Sequence, residues 1–543
     1  MPHDAMPGAD KGNERVPAPR QDTRAGQALF AGLIGHPPAE WLRCAQAMVL
    51  RHDLEGARVV LSAALETHPD SAQLAHALSG VLWEAKRPQA AEDLLRRLIE
   101  RDPTDTASAF LLAKVLKEQG RMSAVEKVLR AWFEHAQPSI DTLIRAIELL
   151  DDCNRKQAAA DICERAIATG ETDPRLHAYA GMLALHLGNF ERVRERFRFA
   201  LDGDPRALEW QAATALASAQ RYLDRTHADF ELFLGSLERA DLSRAARASV
   251  LFALGKAHDD IDDPTQAADY FRQANTIVNA IGNWARKNFR RTVEARLNTK
   301  PPPSSRVAAI DHADCVPIFI VGAPRSGTTL VAERLSRHPA VCNRGEMEWL
   351  PFLAGQLAGT DTSDSSAMRK AAAIYLAQLR QDDSPARWFI DKRPLNFLYL
   401  DLIAALFPTA RIIHCERNAR DTALSIWMQY FIGPDYGFAY DFTNIAALLR
   451  GSERLLGAAH ERGMLDIHRV RYEDMVRDPD LSVDALASWL GLPPFDWSTS
   501  MEPTAAIATA SAWQVRQPIY TRSVGRWRAY AACLPELRQF PDH

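Results

Sequence analysis

The stretch Pro317–Pro339, PIFIVGAPRSGTTLVAERLSRHP, decides how this chain is read. Ile318, Phe319, Ile320 and Val321 form a short apolar run of the kind a parallel sheet buries on both faces. Gly322 and Gly327 then bracket a turn, and Thr328 opens an amphipathic helix carrying Leu330, Val331, Arg334 and Leu335. A strand feeding a glycine loop that ends on a helix N-terminus is an anion site, because unpaired amides and the helix dipole both point at the bound group. The spacing Gly322-Ala-Pro-Arg-Ser-Gly327-Thr328-Thr329 departs from a Walker A loop at one position, where Thr328 replaces the lysine. That lysine reaches the β- and γ-phosphates of a nucleoside triphosphate, so its loss argues against kinase or ATPase chemistry, as does the lack of an evident Walker B aspartate. Arg325 brings a fixed charge suited to a ligand with one phosphate and one further anion.

Pro324–Leu330, PRSGTTL, resembles the 5′-phosphosulfate loop of sulfotransferases that use 3′-phosphoadenosine 5′-phosphosulfate (PAPS), particularly the tyrosylprotein sulfotransferases and their bacterial relatives. The resemblance extends from about Pro317 to Tyr530. It implies a P-loop-like α/β sulfotransferase domain, a PAPS sulfuryl donor and no required metal.

At 543 residues the chain is too long for one ordinary core. Its composition, 47% hydrophobic and 25% charged, is that of a globular protein, and a net charge of −4 gives no global pull toward nucleic acid or anionic lipid. No apolar run reaches the ~18 residues of a membrane span. Residues 1–30 lack an apolar signal core and read as a disordered leader. The seven cysteines are scattered, with no metal-ligand spacing or disulfide framework, which points to a reducing cytoplasm.

Residues 31–297 show self-similarity near a period of about 34 residues and resemble tetratricopeptide (TPR) repeats. Gly181, Gly188, Phe197, Ala200 and Pro205 fall at the positions of a TPR hairpin, and Gly255, Ala267, Phe271 and Ala274 recover the pattern after a gap. About five repeats and a degenerate helical pair are expected to stack into a right-handed superhelix. Such an array offers a groove for a protein or peptide partner, or packs against the second domain. Residues 298–315, with Pro301, Pro302 and Pro303, read as a linker.

Residues 316–543 alternate strand and helix signals, which implies a parallel sheet. Strands are expected at 340–343, 387–391, 411–415 and 465–472, and polar clusters sit at their carboxyl ends, the edge where open α/β sheets bind ligands. Sulfuryl transfer requires charge neutralisation on the leaving phosphate and the sulfuryl oxygens, and a base for the acceptor proton. Arg325, Ser326, Gly327, Thr328 and Thr329 suit the first task, and Lys392 suits the leaving oxygen. The resemblance places the catalytic base at Glu346, with Glu348 as runner-up. It also assigns the 3′-phosphate to Arg417 and Ser425, with Gln429 standing where the family has a further arginine. Tyr472 matches a strand-end tyrosine that contacts the nucleotide in relatives. The segment Ser511–Trp527 follows the family's closing segment, which implies ligand contacts from Ser511 and Arg526. A tyrosine hydroxyl on a protein or peptide is the acceptor the resemblance implies; sugar and small-molecule hydroxyls remain open. The alternative is a TPR adaptor with a catalytically silent nucleotide-binding domain, against which the joint presence of Arg325, Glu346, Lys392, Arg417 and Ser425 counts.

Overall fold

The computed structural model describes residues 32–299, 315–359, 364–382, 384–431, 433–497 and 521–542. The leader and nearly all of the linker lie outside them. Strand β1, Val316–Gly322, shows why its apolar run is unbroken. Ile318 and Ile320 join one hydrophobic cluster, while Phe319 and Val321 join another. Successive side chains point to opposite faces, and both faces of this strand are covered.

Strand β1 lies parallel between β3, Trp388–Asp391, and β4, Arg411–Glu416. The sheet is completed by β2, Val341–Asn343, beside β3, and by β5, Asp466–Arg471, beside β4, giving the order β2-β3-β1-β4-β5. The register sets Gly322 beside Cys415 and Asn343 beside Ile390, so the carboxyl ends meet along one edge. Helices Thr328–Leu335 and Pro479–Leu490 cover one face, through Val331, Leu335, Val483 and Leu486. The other face is packed by Trp349–Gln356, Leu400–Leu406 and Phe442–Glu461. One local reading differs: the last strand stops at Arg471, and Tyr472–Arg477 is a helix with Glu473 and Asp474 in its first turn, where acidic groups complement the dipole.

Before the sheet, helices follow one another from Pro38 to Asn298, and the chain divides into two compact units between Val115 and Leu116. In the first unit, Pro38–Leu50 and Leu54–Thr67 bury Trp41, Ala45, Ala57 and Ala64, and Asp53 and Ser71 cap the helices that follow them. The second unit holds the later repeats together with the sheet. There the small residues of the repeat pattern have a steric cause. A Cβ on Gly181 would lie 2.7 Å from the Phe197 ring, and one on Gly255 would lie 2.7 Å from Phe271. Between these hairpins the period breaks into a 3₁₀ turn at Pro205–Leu208 and helices Ala212–Ser218 and Ala228–Leu237.

The last hairpin, Arg244–Asp260 with Pro264–Ile281, is part of the sheet's own core. Phe252, Phe271, Ala274 and Val278 belong to the cluster that contains Phe319. The Asn275 amide nitrogen donates to the Trp427 carbonyl at 3.0 Å, and Arg296 pairs with Asp401 at 2.8 Å.

Candidate active site

The loop after β1 holds its shape through close contacts that only glycine allows. A Cβ on Gly322 would lie 2.5 Å from the Cys415 carbonyl oxygen. Gly327 has φ +97°, and a Cβ there would meet the Tyr472 ring at 2.6 Å. Arg325 also takes a positive φ, +70°, a conformation that costs a residue with a Cβ about 1–2 kcal/mol. Two bonds offset this strain: the Arg417 guanidinium donates to the Arg325 carbonyl at 3.0 Å, and Arg325 Nε donates to Ser425 Oγ at 3.1 Å. Thus Arg325, Arg417 and Ser425 form one connected group. Ser326 is buried and its hydroxyl has no partner among the described residues. Thr328 and Thr329 are buried at the helix N-terminus behind it.

At the next two strand ends, Glu346 follows β2 and Lys392 follows β3. The Lys392 ammonium, its side chain 2% exposed, donates to Glu346 Oε1 at 2.6 Å. The neighbouring carboxylate Glu348 is 73% exposed and instead accepts from Arg393 at 3.2 Å. Of the two glutamates, Glu346 is therefore the one that joins Lys392. Tyr436 donates to the other oxygen, Oε2, at 3.3 Å.

Asp391, which the sequence marks only as the end of a strand, organises this pair. It is fully buried and accepts from Tyr375 at 2.6 Å, from the Asn396 amide at 2.9 Å and from the Met347 N–H at 3.4 Å. Next to it, the Lys392 N–H donates to the Gly345 carbonyl at 2.8 Å. The peptide groups on both sides of Glu346 are thereby tied to consecutive residues of one strand end. Burial pushes the Asp391 carboxyl up to about 7, against the downward pull of its hydrogen bonds.

Residues 317–497 match the model of the sulfotransferase family. The chain carries a sulfotransferase domain. Residues 82–148 match the tetratricopeptide repeat. An uncharacterized protein of Aquifex aeolicus is 29% identical over 306 residues, 53% of this chain and 40% of that protein. Nodulation protein NoeE of Sinorhizobium fredii is 26% identical over 211 residues, and protein-tyrosine sulfotransferase 2 of Gallus gallus is 24% identical over 197 residues. These matches cover 32% and 34% of this chain and 50% and 52% of those proteins, so the chain spans about half the length of the relatives it matches.

In the sulfotransferase domain the remaining expected contacts are distributed unevenly. Arg417 also donates to the Ser523 carbonyl at 2.7 Å and lies over the Tyr472 ring at 4.7 Å, while the Tyr472 and Ser523 hydroxyls meet at 2.7 Å. Burial pushes the Arg417 guanidinium below its ordinary value. Gln429 donates to the neighbouring Tyr430 carbonyl at 3.3 Å. Arg526 lies near Arg417, but its guanidinium is ion-paired with Asp259 of the last repeat hairpin, which also accepts from Tyr530 at 2.6 Å. Ser511 lies outside the described residues. Asp421 ties this C-terminal segment to the site by accepting from the Gly525 and Trp527 amides at 2.6 and 2.9 Å. Sequence reasoning missed this role because its partners lie about a hundred residues away and are backbone groups, which leave no side-chain signature.

The residues present fit an adenosine donor with a 5′-phosphosulfate and a 3′-phosphate. The orphan Ser326 hydroxyl, the glycine cradle and the helix N-terminus suit the first anion, and the Arg417–Ser425 group suits the second. Among the described residues no helix is long and apolar enough to cross a membrane, and no cluster of His, Cys, Asp or Glu is placed to hold a metal.

Proposed function

We propose that this chain is a PAPS-dependent sulfotransferase that moves a sulfuryl group to an acceptor hydroxyl, with a protein or peptide tyrosine as the acceptor and the repeats as its recruiting surface. The observation that carries this reading is the buried Lys392 paired with Glu346 on the strand ends next to the anion loop. The donor supplies, when bound, a sulfuryl group activated by a phosphate leaving group. Arg325, Ser326, Thr328, Thr329 and the loop amides hold the 5′ end, and Arg417 with Ser425 holds the 3′-phosphate. Glu346, held by Lys392 through Oε1, takes the acceptor proton. Lys392, withdrawn from water, stabilises charge growing on the leaving oxygen more strongly than an exposed lysine can.

Tyr472 stacks with Arg417 beside the nucleotide, and Arg526 and Ser511 serve as further donor contacts. A tyrosine acceptor accords with the protein-tyrosine sulfotransferases among the relatives. We place the enzyme in the cytoplasm, in keeping with seven cysteines that are all free.

The test is calorimetry with adenosine 3′,5′-bisphosphate in the absence of magnesium, followed by sulfuryl transfer from labelled PAPS. Binding of the bisphosphate, with transfer lost in Glu346→Gln and Lys392→Ala, is the expected result. Binding without any transfer to protein, peptide or small phenols would favour a silent adaptor. Undiminished turnover in both variants would remove these residues from their roles.

A further inference from the structure

A phenol of the chain itself already stands where the proposed acceptor hydroxyl has to stand. Among the described residues, the side-chain hydrogen bonds to the Glu346 carboxylate come from Lys392 and from Tyr436. Lys392 takes Oε1, and Tyr436 takes Oε2 at 3.3 Å, the oxygen left over for an incoming proton. The Tyr436 ring is seated as a bound side chain would be. It stacks on Phe431 with ring centres 4.8 Å apart and planes 9° apart.

The backbone on either side of this tyrosine is anchored. Before it, Asp435 is bonded at 2.5 Å to Arg393, whose side chain is 4% exposed. After it, Gly437 lies against Trp284, where a Cβ would come within 2.7 Å of the tryptophan Cβ, and Phe438 is fully buried. Burial raises the phenol well above its ordinary value, helped by the nearby Glu346 carboxylate, so the hydroxyl keeps its proton and needs a base to become a nucleophile.

Resting on the functional reading above, we infer that Tyr436 is an internal sulfuryl acceptor, modified by its own site when donor is present and external acceptor is not. The Tyr436 oxygen forms the new O–S bond. The bond between sulfur and the 5′-phosphate oxygen breaks, its electron pair leaves with adenosine 3′,5′-bisphosphate, and the phenolic proton passes to Glu346 Oε2. No atom changes oxidation state, and each chain accepts one sulfuryl group. The product carries a fixed anion against Glu346 and blocks the base, so the modified chain is inactive.

The full chain is incubated with PAPS alone, digested and read by mass spectrometry. The expected result is one sulfuryl group on the peptide containing Tyr436, formed with a first-order rate constant independent of protein concentration. It is absent in Tyr436→Phe, which keeps the stack on Phe431, and slowed by about 10²-fold or more in Glu346→Gln. A small phenol is assayed in parallel with the same preparation. Sulfated phenol in that assay with Tyr436 left unmodified under PAPS alone, or a labelled fraction of Tyr436 that forms faster at higher protein concentration, overturns the inference and leaves the functional reading intact. Failure to bind adenosine 3′,5′-bisphosphate, with neither phenol labelled, overturns both.

Discussion

Replacing Asp391 with asparagine should make the protein less sensitive to pH, and the size of the effect follows from where the carboxyl sits. Asp391 is buried at the end of β3 with its pKa pushed from an ordinary 3.8 to about 7. A carboxyl whose folded pKa is raised holds its proton more tightly in the folded state. Stability is therefore full at low pH and is lost as pH rises from the unfolded value through the folded one. Each pH unit between those two values is worth about 1.4 kcal/mol, so the whole interval amounts to about 4 kcal/mol, of which about 2–3 kcal/mol falls between pH 5 and pH 8. Asparagine cannot titrate. It still offers an oxygen to the Met347 amide, and its new amide group can donate to Asn396 once that side chain turns over to present its carbonyl oxygen, which has no partner among the described residues. The assay is urea unfolding of wild type and Asp391→Asn at both pH values, following the transition of the unit that contains the sheet. Other titrating groups cancel in the difference, and the gap should move by about 2–3 kcal/mol in favour of the variant from pH 5 to pH 8. An unchanged gap would falsify the placement of this carboxyl in a water-excluded pocket.

Glu346→Ala should destabilise the fold by about 3–5 kcal/mol, read by thermal unfolding, because Lys392 is left buried without its counter-ion; the double variant Glu346→Ala/Lys392→Met should recover most of that loss. Arg417→Ala should weaken adenosine 3′,5′-bisphosphate by about 10–100-fold in calorimetry, the worth of a charge-assisted contact, and should loosen the loop through the lost bond to the Arg325 carbonyl. Gly327→Ala should abolish bisphosphate binding while leaving the helical content measured by circular dichroism intact, since its methyl group strikes Tyr472 at a strained φ. Asp259→Asn should break the Arg526 ion pair, and bisphosphate affinity should rise if that arginine is a phosphate ligand; an unchanged affinity removes the pair from any role in donor binding.

Much of the fold was legible along the chain because it depends on local signals. The run Ile318–Val321 announced a strand covered on both sides, and Gly322 and Gly327 announced the turn, since the contacts they make tolerate no side chain. Gly181 with Phe197, and Gly255 with Phe271, repeat one steric requirement at one spacing. The helix Tyr472–Arg477 was not legible: its six residues are too few for a periodic pattern.

Sequence alone, then, determined the kind of each major element, the glycine loop after β1 and which residue types stand at the strand ends, because those follow from periodicity and from backbone sterics between near neighbours. Only the tertiary structure decided that β1 lies between β3 and β4, that Glu346 rather than Glu348 meets Lys392, and that Asp391, Asp421, Tyr436 and Asp259 hold the site together. Those relations join groups tens to hundreds of residues apart, through single buried hydrogen bonds and ion pairs. They exist only once crossovers bring strand ends together, and nothing in the local order of residues encodes which partner each finds.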